Sequence, residues 1–339
     1  MKICFITEHY DKKYGGQYTS VKSVIDICKI LKISNWIVSK NSKNFKNKKI
    51  LKKIIKSSDI IHIFGGWTIF YVKINLMMLG LNKKIVIHPM GFYEPWSLSQ
   101  KRLKKYFAWN LYQKQLLLKA NLIHCASSNE ANSLKKLHND FKTKVLPFGI
   151  SKNTIKKNIK TKLNKRCLFF SRLHKKKGLD KLIKAWIDVK DENWSLDIIG
   201  YGDAEYYRKK FNIYNHDKIK FLNPIFSDTK KINTFEKYDL LILPSSNENF
   251  GIVVLEAMAR GLAVLTTNET PWNIIQKENA GWIINDSIIE LKIVLSEIFR
   301  SSEKNIKKKK INALKIASKF TKENLSKIYL NTYKKILSY

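Results

Sequence analysis

Two carboxylates, Glu248 and Glu256, lie in Leu243-Pro-Ser-Ser-Asn-Glu248-Asn-Phe-Gly251-Ile-Val-Val-Leu-Glu256-Ala-Met-Ala-Arg-Gly261. The apolar run ending at Leu243 reads as a strand, the polar residues after it as a loop, and the segment from Gly251 to Arg260 as a helix that Gly261 can cap. The amides of Phe250, Gly251 and Ile252 then fall at a helix N-terminus, where they can donate to ligand oxygens. Glu248 in the loop and Glu256, about one and a half turns into the helix, can accept hydrogen bonds from the hydroxyls of a sugar or ribose. A capped surface helix with incidental acids is the plainer alternative.

A second segment, Phe169-Phe-Ser171-Arg172-Leu-His-Lys-Lys-Lys177-Gly178-Leu-Asp, supplies the opposite charge. Its apolar strand delivers Arg172 at the carboxyl end, the edge where open α/β sheets bind ligands. Lys177 stands just before a helix opening at Gly178. Two fixed cations there would neutralise charge developing on a diphosphate leaving group. The alternative is a solvated basic turn, which suits a lysine-rich chain, although arginine is scarce here. Gly15-Gly16, after the first apolar run, lets backbone approach a phosphate closely, and equally suits an ordinary turn.

The elements that must position these residues alternate along the chain. Apolar runs at residues 2–7, 36–39, 60–64, 84–88 and 144–146 read as strands, with helical patterns at 19–31, 99–119 and 129–137. The polar stretch 151–164 reads as a linker. Alternation then resumes: strands at 167–171, 195–199, 219–222, 240–243 and 263–266, and a helix at 179–189. A basic helical tail, about 287–339, closes the chain. This order predicts α/β architecture, two Rossmann-like doubly wound domains facing across a cleft. Residues 1–150 form the first, 151–164 the linker and 165–318 the second; 319–339 form a closing helix packing back on the first.

Composition narrows the classes of function. Cys4, Cys28, Cys125 and Cys167 are widely spaced and sit mostly in apolar runs, as reduced core residues of a cytoplasmic protein do, and no zinc site is visible. The N-terminus enters a strand directly, without a signal peptide. The most membrane-like stretch, 60–81, is interrupted by Gly65-Gly66, His62 and Lys73 and reads as strand, loop and buried helix. The formal net charge is +37, yet only six of the 64 basic residues are arginine. A reader of phosphates or base edges leans harder on arginine, so nucleic acid is not the expected partner.

Taken together, these motifs resemble the large retaining GT-B glycosyltransferases, glycosyltransferase family four, over nearly the whole chain. Glu248 and Glu256 fit its Glu-x7-Glu signature, and Arg172 to Gly178 resembles its Gly-Arg-Leu-x-x-x-x-Lys-Gly site, with Ser171 in place of the first glycine. Asp59-Ile-Ile-His62-Ile resembles a further strand of that family. Met90 to Leu98, Ala120 to Ser127 and Thr270-Pro-Trp272 are similar to a bacterial branch that builds lipopolysaccharide and other surface polysaccharides.

The resemblance implies a hexosyl transfer from a nucleotide-diphosphate sugar to a glycan or lipid-linked glycan, with retained configuration and no cofactor or metal. No Asp-x-Asp pair of the metal-dependent kind occurs. Glu256 would hold the ribose, Glu248 the donor sugar, Arg172 and Lys177 the diphosphate, Gly16 the diphosphate from the first domain, and Ile225 the base through its backbone. Where the family often has His or Arg before a glycine, this chain has Met90. His88, on the same strand face, is a partial substitute or a structural histidine. Pro147-Phe148-Gly149 replaces a common Pro-Asn-Gly, and Lys322 replaces a common Trp on the closing helix. A GT-B-fold nucleotide-sugar epimerase and a donor-binding protein without turnover are the alternatives.

One lysine cluster points elsewhere. In residues 43–56, Ile50, Leu51, Ile54 and Ile55 recur with helical spacing among Lys48, Lys49, Lys52 and Lys53. Such an amphipathic basic helix suits an anionic inner-leaflet surface, and the expected location is cytoplasmic, peripheral at the plasma membrane. A plain surface helix in a lysine-biased chain is the alternative.

Overall fold

The computed structural model describes residues 1–78, 80–159, 162–191 and 193–338. It divides into two compact units: Met1–Gly149 together with Lys322–Tyr339, and Ile150–Thr321. Each is built on a six-stranded sheet in which every neighbouring pair runs parallel.

In the first unit the strands are β1 (Lys2–Thr7), β2 (Ser34–Ser39), β3 (Ile60–Phe64), β4 (Lys84–His88), β5 (Leu122–Cys125) and β6 (Thr143–Val145), in the order β2-β1-β3-β4-β5-β6. Parallel strands covered on both faces must be apolar throughout. Accordingly every residue of β3 is buried, and β1 is buried from Ile3 to Thr7. The order reverses between β1 and β3, a topological switch point. The loop after β1 ends there in Gly15, which caps the helix Gly16–Ile30 with a φ of 53°.

The continuous helix expected over 99–119 is broken. The chain forms Pro95–Ser99 and Arg102–Ala108, separated by Lys101 at a φ of 51°, then a wide π turn at Trp109–Gln113, then Lys114–Lys119. The π turn brings two polar side chains onto one backbone segment. Tyr112 OH donates to the Trp67 carbonyl at 2.7 Å, and Gln113 Oε1 accepts from the Trp67 amide at 3.2 Å. Satisfying both groups offsets the cost of the irregular turn.

The second unit carries β7 (Arg166–Phe170), β8 (Ser195–Ile199), β9 (Ile219–Leu222), β10 (Leu240–Leu243), β11 (Ala263–Thr267) and β12 (Gly281–Ile284), in the order β12-β11-β10-β7-β8-β9. Its switch point falls between β7 and β10. The described residues of the polar stretch 151–164 belong to this unit: the Lys156 amide donates to the Ala259 carbonyl, and Arg260 Nη1 donates to the Thr154 carbonyl at 2.7 Å. The tail is three helices, Ile288–Arg300, Glu303–Lys319 and Lys322–Leu337.

The last of these lies in the first unit, against Gly16–Ile30. Lys322 pairs there with Asp26 at 2.7 Å, and Tyr333 OH meets His62 Nδ1 at 3.0 Å. Among the described residues, no helix is long and apolar enough to cross a membrane.

Candidate functional site

The switch point of the second sheet gathers the charged residues singled out from the sequence. β7 and β10 are neighbours in register, so the loops leaving their carboxyl ends emerge side by side. The Ser246 amide donates to the Lys176 carbonyl at 2.9 Å and ties the two loops together. Gly178 makes this approach possible: its φ is 72°, and a Cβ there would stand 2.0 Å from the Pro244 carbonyl oxygen. No side chain fits that space.

Glu248 is nearly buried, and Lys177 Nζ donates to its Oε1 at 2.5 Å. Ser245 Oγ donates to the same oxygen at 3.0 Å, while Thr267 Oγ1 holds the Ser245 carbonyl at 2.5 Å. The carboxylate and the ammonium are thereby fixed before any ligand arrives. Such preorganisation lowers the ordering cost of recognition. Arg172, just beyond β7, is exposed and makes no ion pair with a carboxylate among the described residues. His174 caps the turn Lys175–Lys177 by accepting from the Lys176 amide at 3.2 Å. Burial, helped by the charges of Arg172, Lys177 and Lys176, lowers its pKa and favours the neutral ring that can accept this bond.

The helix Ile252–Ala259 begins at Gly251, whose φ of 66° is the left-handed conformation that glycine adopts cheaply. It ends in a Schellman arrangement, the Gly261 amide to the Met258 carbonyl and the Leu262 amide to the Ala257 carbonyl. Phe250 and Ile252 have buried side chains, so their backbone is what they can offer a ligand. Trp272 Nε1 donates to the Phe250 carbonyl at 2.5 Å and fixes the helix entry. Glu256 pairs with Lys231 at 2.5 Å, each about one-seventh exposed. Ile225 lies in the loop between β9 and the helix Asp228–Phe235 that carries Lys231. Lys231 and Ser245 received no role from the sequence. Nothing marks Lys231 among so many lysines, whereas Ser245 lies inside the Pro-Ser motif and was legible in principle.

The first unit holds the remaining candidates. Gly16 is the first residue of its helix at that unit's switch point. Of the two places open to His88, a partial substitute at the donor sugar or a structural histidine, its burial fits the second and corrects the first: it is fully buried at the end of β4, its Nδ1 donates to the His124 carbonyl at 2.6 Å, and its Nε2 has no partner. Burial pushes its pKa down to about 4. Met90 and Gly91, just after it, both stand at positive φ and form a bend. Glu130 accepts from the Gly91 amide at 2.7 Å and holds the same bend.

The basic helix Lys48–Ser57 also requires a correction. Leu51, Ile54 and Ile55 are buried in the core of the first unit, and of the four apolar residues only Ile50 is exposed. The amphipathic pattern is real, but its apolar face looks inward. Lys48, Lys49, Lys52 and Lys53 are exposed and can offer a bilayer charge without insertion.

Residues 151–313, which include the whole charged constellation, match the family model described as glycosyl transferases group 1. The second unit is matched as a group 1 glycosyl transferase domain. An uncharacterized glycosyltransferase of Methanocaldococcus jannaschii is 33% identical over 180 residues, 50% of this chain and 45% of that protein. The chain thus spans about half the length of the curated relatives it matches. Among solved structures, sucrose-phosphate synthase of Thermosynechococcus elongatus aligns at a TM-score of 0.80 with 15% identity, covering 99% of both chains. Anabaena HepE in complex with UDP-glucose aligns at 0.74 with 18% identity, covering 99% of this chain and 100% of that one. At such identities the likeness is one of fold: α/β, with two Rossmann-like domains of the GT-B kind.

Proposed function

We propose that this chain is a retaining glycosyltransferase of family four that moves a hexosyl unit from a nucleotide-diphosphate sugar to a glycan or lipid-linked glycan in surface-polysaccharide or lipopolysaccharide synthesis. The observation that carries the reading is the Lys177–Glu248 pair, fixed by Ser245 at the β7/β10 switch point within the matched group 1 domain. Open α/β sheets bind ligands at such points.

In this reading Glu256 and Lys231 meet the ribose, Glu248 meets the sugar, and Ile225 meets the base. The amides at Phe250, Gly251 and Ile252 face donor oxygens. Arg172 and Lys177 neutralise the diphosphate as the glycosidic bond breaks, the role a metal fills in other transferases. Gly16 is a further diphosphate contact, and His88, fully buried, has a structural part only. The protein works in the cytoplasm, peripheral to the anionic inner face of the plasma membrane, with no nucleic-acid partner.

A thermal-shift screen against UDP-, GDP- and ADP-sugars tests donor binding, and UDP-glucose is the first choice because HepE was captured with it. One donor should raise the melting temperature, and incubation with acceptor should give a product of unchanged anomeric configuration by NMR. Conversion of the donor sugar without acceptor would instead mean an epimerase. Binding without either reaction would mean that turnover has been lost.

A further inference from the structure

The first unit exposes an apolar stripe on a helix that no motif had marked. Leu103, Tyr106, Phe107 and Leu111 are 76%, 64%, 63% and 78% exposed. Their spacing of i, i+3, i+4 and i+8 places them along one side of Arg102–Ala108 and its continuation into the π turn. The other side carries Trp109, Tyr112 and Gln113, which turn inward toward Trp67. Lys105 also turns inward: its ammonium lies 5.7 Å from the Trp67 ring centre and donates to the Ser97 carbonyl. Solvent is left with the apolar row and, beside it, the exposed Lys101, Arg102 and Lys104. Exposed rows of large apolar side chains on one helix mark interaction sites.

Charge says what would cover this one. No aspartate or glutamate occurs between Glu94 and Glu130, whereas that span holds Lys101, Arg102, Lys104, Lys105, Lys114 and Lys119. A second copy of the chain would bring the same cations against themselves. An anionic bilayer meets both halves of the surface, with headgroups beside the cations and the acyl boundary against the four apolar side chains. We propose that this face is the membrane-docking surface, seated on anionic lipid with Leu103, Phe107 and Leu111 inserted. Exposed Trp96, on the adjoining helix Pro95–Ser99, lies at the edge of the contact. The lysines of Lys48–Ser57, whose apolar row is spent on the core, add only a screened attraction. This inference deepens the membrane side of the functional reading, and its test uses neither donor nor acceptor, so either can fail alone.

Co-sedimentation with phosphatidylglycerol-containing vesicles, compared with phosphatidylcholine vesicles, gives the measurement. Leu103→Gln, Phe107→Gln and Leu111→Gln together should lower binding to anionic vesicles on the order of tenfold or more. They should also remove the part that survives high salt. Changing Lys48, Lys49, Lys52 and Lys53 to Gln should weaken binding only at low salt. The native chain carrying Phe107→Cys labelled with an environment-sensitive dye should show blue-shifted emission on anionic vesicles, and a label at Lys52→Cys should not. Equal binding by the triple variant and the parent would overturn the proposal. So would a parent that binds no vesicles, or a dimer in solution that the triple variant abolishes.

Discussion

The two units repeat one plan, a six-stranded parallel sheet with a switch point beside its first strand, yet they handle polar groups in opposite ways. The first seals its histidines in uncharged form. His62, His88 and His124 stand on adjacent strands β3, β4 and β5, each fully buried. His124 Nε2 lies 2.6 Å from the Leu146 carbonyl, so it carries the proton and donates. His124 Nδ1 is left to accept from His62 Nε2 at 3.2 Å, and His62 Nδ1 to accept from Tyr333 OH at 3.0 Å. Burial lowers the pKa of all three rings.

The second unit keeps its charges and places them as pairs, Lys177–Glu248 and Lys231–Glu256 around the candidate site and Lys310–Asp239 in the interior. The closing helix is docked by that neutral network together with the Lys322–Asp26 pair. Charged pairs at a sheet edge can be shared with a charged ligand. The fold is common to both units, and the chemistry is a property of the site.

The largest effect expected from breaking this contrast lies in the second unit. Lys310→Met should destabilise it by about 3–5 kcal/mol, because Asp239 would stay buried without its cation. The Asn164 and Lys165 amides, at 2.7 and 2.8 Å from Asp239, would hold the carboxylate in place without neutralising it. Chemical denaturation of parent and variant measures the loss; a change below about 1 kcal/mol would show that the pair is not essential to this unit.

Acid should discriminate the units in the other direction. The folded-state pKa values of the three histidines lie below the unfolded value of about 6.5. Their stabilisation is therefore complete above that pH and is lost as pH falls toward about 4, the value for His88. Each tenfold change in proton affinity corresponds to about 1.4 kcal/mol of stability lost in acid. Hydrogen exchange should show β3–β5 losing protection as pH falls from about 6.5 toward about 4, before β7 and β10 do. Simultaneous loss would mean that the histidine network does not set the acid limit. The smallest expected effect is none at all: excess EDTA should leave transfer unchanged, because Arg172 and Lys177 supply the positive charge. Loss of activity restored by Mg²⁺ or Mn²⁺ would contradict that role.

Much of this was legible in the sequence. Mostly apolar runs placed β3, β4, β8, β9 and β10 at the residues they occupy, and the Glu-x7-Glu spacing located the loop and helix of the candidate site. β5 lies within Ala120 to Ser127, which was read only for its family resemblance, and β12 escaped because it opens on a glycine in a short run. Periodicity shows that a helix has an apolar face without showing what that face meets. In Lys48–Ser57 it meets the core, while around Leu103, Phe107 and Leu111 it meets solvent. Lys231 was invisible because its role comes from the tertiary approach of two helices.

The central claim is that Arg172, Lys177, Glu248 and Glu256 form one nucleotide-sugar site, and paired kinetics on two variants tests it most directly. Glu256→Ala should weaken donor binding by roughly 1–3 kcal/mol, since ribose hydroxyls and Lys231 both lose their acceptor. Arg172→Ala should lower kcat more than it raises the donor Kd, because diphosphate charge grows toward the transition state. Donor affinity and turnover unchanged in both variants, measured by calorimetry and by transfer under the same conditions, would contradict the account.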